Sequence, residues 1–108
     1  MNTSDLPPAT MQKLTSVFSK WPELAEVVLY GSRAIGTATA RSDIDLATRG
    51  IENELRLGRL ALDLDDLDIP QKVDVRGYES ISYPPLKRHI DAFGISVYKR
   101  TTRADQTT

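Results

Sequence analysis

From Ser42 to Ala47 the chain reads Ser-Asp-Ile-Asp-Leu-Ala, with acidic and apolar residues alternating at period two. An extended backbone sends successive side chains to opposite faces, so Asp43 and Asp45 share one face while Ile44 and Leu46 share the other. Such a segment calls for a sheet that is packed on one side and acidic on the other. Asp74, between Val73 and Val75, repeats the pattern further along and brings a third carboxylate beside the first two if the strands are neighbours. Three such charges repel one another unless cations bridge them.

The remaining periodicities supply the cover for that sheet. Met11, Leu14, Val17 and Phe18 recur at helical spacing and Trp21 extends the stripe, predicting a helix from about Ala9 to Lys20 that Pro22 closes. Val27-Val28-Leu29-Tyr30 is a continuous apolar run bounded by Gly31, the pattern of a strand buried on both faces. Gly31 to Ala40 is small and polar, with a short helix and a turn at Gly36. Leu57, Leu60, Leu64 and Leu67 mark a helix between Asn53 and Leu67, with Leu55 and Leu62 widening its apolar stripe. The acidic run Asp63 to Asp68 reads as a solvated face of this helix. Acidic residues near a helix C-terminus oppose its dipole, so the helix is expected to end early. Lys72 to Arg76 forms the Asp74 strand. Leu86, Ile90 and Phe93 mark a helix after Pro84-Pro85, with Gly94 at its C′ position, and Ile95 to Tyr98 is the last strand. The order α, β, short α, β, α, β, α, β predicts an α/β chain of the α+β type: a small mixed β-sheet covered by helices. One domain spans residues 1–98, and 99–108 is a polar tail.

Composition removes several function classes. A chain of 108 residues supports one core and little elaborate substrate recognition. With 14 Lys and Arg against 15 Asp and Glu it lacks the field that accompanies non-specific nucleic-acid binding, so no direct nucleic-acid partner is expected. The absence of cysteine excludes disulfides, thiolate metal sites and Cys nucleophiles, leaving oxygen to hold any metal. Met1 to Pro8 carries no leader pattern and no run is long enough for a membrane span, which makes the cytoplasm the default location. Ala47 and Thr48 break an EF-hand loop. Thr37-Ala38 stands where a Walker A loop needs Lys and Ser or Thr, and there is no Gly-x-Gly-x-x-Gly stretch.

What remains is one string: Leu29-Tyr30-Gly31-Ser32-Arg33-Ala34-x-Gly36, then Ser42-Asp43-Ile44-Asp45-Leu46, then Val73-Asp74-Val75. It resembles the minimal nucleotidyltransferases, small relatives of the catalytic domain of DNA polymerase β. More loosely, the likeness extends through Leu86-x-x-His89-Ile90-x-x-x-Gly94 to Tyr98. The resemblance implies a polymerase β-like nucleotidyltransferase fold and a Mg²⁺-dependent attack on the α-phosphorus of ATP, releasing pyrophosphate and joining AMP to a hydroxyl acceptor. It further implies that Asp43 and Asp45 bridge two Mg²⁺ ions, that Asp74 holds the ion on the acceptor side and takes the acceptor proton, and that Gly31 and Ser32 receive the donor phosphates. Arg33 is placed within reach of the triphosphate.

A chain this short has no space for an acceptor-binding domain, so a separate chain must supply that surface or be the acceptor. Stand-alone proteins of this kind resemble the antitoxin halves of two-gene modules whose partner is a helical HEPN-type toxin, with a tyrosine of the toxin as the acceptor. Two other accounts remain open: a nucleotide-binding module that silences its partner by contact alone, and a transferase acting on a small molecule such as an aminoglycoside. His89, the only histidine, is read as a packing or capping residue outside the site.

Overall fold

The computed structural model describes residues 6–100. Helix α1 (Pro8–Phe18) starts on a proline whose missing N–H costs nothing in a first turn, and buries Leu14, Val17 and Phe18. Strand β1 (Glu26–Tyr30) leads through Gly31 into the short helix α2 (Ser32–Ile35), and strand β2 (Ile44–Arg49) follows. Helix α3 (Glu54–Asp65) is capped by Asn53, whose side-chain oxygen accepts from the N–H groups of Leu55 and Arg56 at 2.8 and 3.1 Å. Strand β3 (Val73–Gly77), a 3₁₀ turn at Tyr78–Ser80, helix α4 (Pro84–Phe93) and strand β4 (Ile95–Lys99) complete the chain.

The four strands form one sheet in the order β3-β2-β1-β4. β1 runs antiparallel to both β2 and β4, whereas β2 and β3 are parallel, so the sheet is mixed as the alternation of elements predicts. Leu29, Ile44, Leu46 and Val73 face the main core with Leu14 and Phe18 of α1 and Leu60 and Leu64 of α3. Each of the fully buried leucines contributes about 1.5–3 kcal/mol relative to exposure. The opposite face is only partly covered: α4 sets Ile90 against Tyr30 and Ala47, with Val28 and Leu86 beside them. The sheet is thus roofed at β1 and the middle of β2, while the start of β2 and of β3 stays open.

Several boundaries differ from the sequence reading. Leu55 and Leu62 do not widen the stripe of α3; they are 83% and 60% exposed, because the helix rests on the sheet along the narrow line of Leu57, Leu60 and Leu64. The helix stops at Asp65, so Asp66 and Asp68 lie beyond its last turn. Gly94 is not a left-handed cap: its φ is −63°. It is glycine for space, since a Cβ there would meet Val28 Cγ1 and the Ile90 carbonyl. The chain is also anchored past residue 98. Lys99 belongs to β4, and the Arg100 guanidinium donates to the carbonyls of Trp21 and Leu24 at 2.8 and 3.2 Å, tying β4 to the loop after α1. The rest of the expected tail, residues 101–108, lies outside the described residues. Among the described residues no helix is long and apolar enough to cross a membrane.

Candidate active site

Strand register builds the centre of the site. Tyr30 of β1 lies opposite Asp45 of β2, and Asp45 lies opposite Asp74 of β3, giving a row of three residues across the sheet. Ile44 and Leu46 point the other way into the core, which fixes the pleat and obliges Asp45 to face the open side. Asp74 belongs to the same face by the same argument, between Val73 and Val75 on the core side. Asp43 stands one residue before β2 and is exposed.

The carboxylates sense one another. Burial raises the Asp45 pKa above the ordinary carboxylate range, and the charges of Asp74 and Asp43 raise it further; Arg76 and His89 act in the opposite direction. Burial also raises the Tyr30 pKa; the Arg76 guanidinium lowers it, while Asp45 and Asp74 add to the increase. Arg76 is two residues beyond Asp74 on the same face of β3, with its Nε 3.7 Å from Asp74 Oδ2. Both partners are about half exposed, so the pair itself adds little stability. Arg76 is the register partner of Ala47, one step along the sheet from the acidic row, and the period-two spacing of Asp74-Val75-Arg76 is the sequence signal that could have placed it on that face.

The turn at Gly31 presses on the same row. Gly31 has φ 79° and ψ −153°, a backbone region open almost only to glycine. A Cβ built on it would stand 2.5 Å from Asp45 Oδ2. The missing side chain is therefore the space in which the Asp45 carboxylate lies. Ser32 opens α2 directly beyond it. The Gly31 N–H donates to Nε2 of His89 on α4 at 2.9 Å, so the residue set aside as packing touches the turn itself. Its position depends on α4 crossing β1, which helical periodicity does not encode; the looser family likeness through Leu86-x-x-His89-Ile90 is the one signal that includes it.

Arg33 of α2 is turned inward. Its side chain is buried, and its guanidinium donates to the carbonyls of Thr39, Ala40 and Ser42 at 3.1–3.3 Å. These bonds gather the loop between α2 and β2, where the Thr39 carbonyl also accepts from the Ser42 N–H and the Ala40 carbonyl from the Gln71 side-chain amide. The guanidinium thus supports the loop that leads into Asp43 and Asp45.

Whether this face fits a divalent cation is answered by its donors. Carboxylate oxygens are the hard ligands Mg²⁺ prefers, and Asp45 and Asp74 are register partners on one face of the sheet. Among the described residues no three acidic, His or Cys side chains are drawn together into a ready metal cage. The physical reason is visible: the carboxylates repel, Asp43 is out in solvent, and Asp74 leans on Arg76. The donor chemistry fits a hard divalent cation.

A model of the family described as Polymerase beta, Nucleotidyltransferase matches residues 12–103. The chain belongs to this family. Solved structures with the same polymerase β-type nucleotidyltransferase fold include a toxin-antitoxin complex with AMP-PNP, with a TM-score of 0.68, 24% identity, and coverage of 90% of this chain and 78% of that one. Another is the complex of a tri-AMPylated HEPN toxin from Shewanella oneidensis with its MNT antitoxin, with a TM-score of 0.64, 20% identity, and coverage of 92% and 76%. A third, the toxin-antitoxin MntA-HepT, gives a TM-score of 0.64 at 20% identity over 94% and 78% of the two chains. At these identities the likeness is one of fold. No curated protein matches the chain.

Proposed function

We propose that this nucleotidyltransferase-family protein moves AMP from ATP onto a hydroxyl of a partner protein, a tyrosine of a HEPN-type toxin, and so acts as the antitoxin of a two-gene module. The observation that carries the reading is the acidic row: Asp45 and Asp74 are register partners on one sheet face, and Gly31 leaves the space that the Asp45 carboxylate fills. The similarity to toxin-antitoxin complexes, one with AMP-PNP and one whose toxin is tri-AMPylated, supports the choice of donor and partner.

In this proposal Asp43, Asp45 and Asp74 would hold Mg²⁺, which when bound would supply positive charge to offset the donor phosphates and to make the attacking hydroxyl more acidic. Gly31 allows the phosphate chain to approach the backbone, and the Ser32 hydroxyl donates a hydrogen bond to it. Asp74, on the outer strand and the more accessible side of the row, accepts the acceptor's proton. Leaving Arg76 is part of that task, because a carboxylate paired with a guanidinium is a weaker base. The acceptor oxygen then bonds to the α-phosphorus as the bond to pyrophosphate breaks.

The test is incubation of the protein with α-labelled ATP, Mg²⁺ and the product of the adjacent gene. Label should appear on the partner and disappear with Asp43→Asn. Inhibition of the partner without label supports the contact-only account. Label on an aminoglycoside instead of protein supports a small-molecule transferase.

A further inference from the structure

Resting on that reading, we infer that His89 is a positioning residue of the donor site, acting through Gly31. The imidazole Nε2 accepts the Gly31 N–H at 2.9 Å across a sequence separation of 58 residues, joining α4 to the turn between β1 and α2. Gly31 is at once the residue against which the Asp45 carboxylate lies. A continuous line therefore runs from α4 through the imidazole and the Gly31 backbone to the central carboxylate of the acidic row.

The ring is held for this task. It meets the Tyr30 ring edge-on, with centroids 6.1 Å apart and planes at 75°, and the Phe93 ring at 5.5 Å and 43°. Tyr30 immediately precedes Gly31 and is itself buried, so one side of the imidazole is set by the strand that carries the turn. Accepting at Nε2 places the proton of the neutral ring on Nδ1, which defines one tautomer. The backbone at Gly31 occupies a region in which few conformations are cheap, and an otherwise unpaired N–H there leaves the turn free to relax. His89 removes that freedom.

A second consequence concerns the nucleotide. With its N–H committed to His89, Gly31 serves the donor through what it lacks, a side chain, while Ser32 supplies the hydrogen bond. Loss of the imidazole acceptor should therefore loosen both the seat of the phosphates and the rest position of Asp45, without touching the acceptor side at Asp74.

Two substitutions separate hydrogen bonding from packing. His89→Phe keeps a ring against Tyr30 and Phe93 but removes the acceptor. His89→Gln gives up the ring and places a carbonyl oxygen near the position of Nε2. For the positioning role, H89F raises the KM for ATP, or the Kd for Mg-ATP by calorimetry, by about tenfold or more, while H89Q stays within roughly threefold of wild type. KM for the acceptor protein should be unchanged in both. A purely structural role predicts the reverse order, with H89F near normal and H89Q impaired, and would overturn the inference. The contact itself is read without activity: an N–H···N bond carries a nitrogen–nitrogen coupling between Gly31 N and His89 Nε2 in the NMR spectrum of uniformly ¹⁵N-labelled protein. Absence of that coupling in the wild type overturns the inference whatever the enzyme does. If the coupling is present but the wild type neither binds nor transfers nucleotide, the proposed function fails, and with it the nucleotide role given to His89.

Discussion

Gly31→Ala is the substitution that asks most of this structure. An alanine at φ 79° and ψ −153° occupies a region almost reserved for glycine, costing about 1–3 kcal/mol, or roughly 10 °C in Tm for a domain of this size at the middle of that range. The new methyl would also stand 2.5 Å from Asp45 Oδ2 and 3.4 Å from its Cγ; ordinary contact begins at 3.4 Å, so the oxygen must retreat by roughly 0.9 Å. A displacement of about 1 Å in a reacting site costs on the order of a hundredfold in rate, which is the loss expected for adenylyl transfer by G31A. Gly36→Ala is the matched control. Gly36 also has positive φ, 83°, but its missing Cβ points into open space with nothing within 4 Å. It should lose about 1 kcal/mol of stability and, at equal folded fraction, keep transfer within roughly threefold of wild type. Thermal unfolding and initial rates of label transfer, measured on both variants below their melting transitions, decide the matter. Equal rates for G31A and G36A at equal folded fraction would refute the claim that the backbone at Gly31 sets the position of Asp45.

Other outcomes follow from the same geometry. Because folding raises the Asp45 pKa, the folded state binds that proton more tightly, and metal-free protein loses stability as pH climbs from the ordinary carboxylate range through the raised value. Asp45→Asn removes that loss: without metal its Tm should exceed wild type at pH 7 and approach it below the unfolded carboxylate pKa, and a mutant less stable at pH 7 counts against the electrostatic account. Mg²⁺ with ATP should raise the wild-type Tm by mass action, and Asp43→Asn should abolish most of the rise, as followed by calorimetry. Arg33→Ala strips the guanidinium from three carbonyls and should cost about 2–4 kcal/mol in urea unfolding, with Arg33→Lys a poor substitute because the ammonium lacks the planar fork. Weak ATP binding at unchanged stability in R33A would instead restore Arg33 to the nucleotide. Gly94→Ala should force α4 away from β1 at Val28 and cost about 1–3 kcal/mol, seen as a fall in Tm.

Local periodicity was a reliable guide wherever a single element decided the outcome. The period-two alternation of Ile44 and Leu46 with Asp43 and Asp45 gave the two faces of β2, because pleating acts on neighbouring residues alone. The leucine stripe placed α3 and the Gly31 boundary ended β1 for the same reason. The stripe was read too wide at Leu55 and Leu62, since periodicity gives the direction of an apolar face but not the breadth of the surface it meets. Gly94 shows a further limit: a glycine after a helix signals a left-handed cap or a close crossing equally well, and only the neighbouring strand separates the two.

By itself, then, the sequence determined the kinds and order of the elements, the acidic face of β2 and the candidate carboxylates, all of which are set by interactions between residues close along the chain. Tertiary structure alone decided that Asp74 stands beside Asp45 through parallel pairing of β2 with β3, that Arg33 is spent on the loop carbonyls, and that His89 reaches Gly31 from another element. The placements of Asp74 and His89 depend on which surfaces meet after long loops close, whereas the Arg33 bonds are local but sit in an irregular loop, and in neither case does the chain carry a periodicity that encodes the meeting.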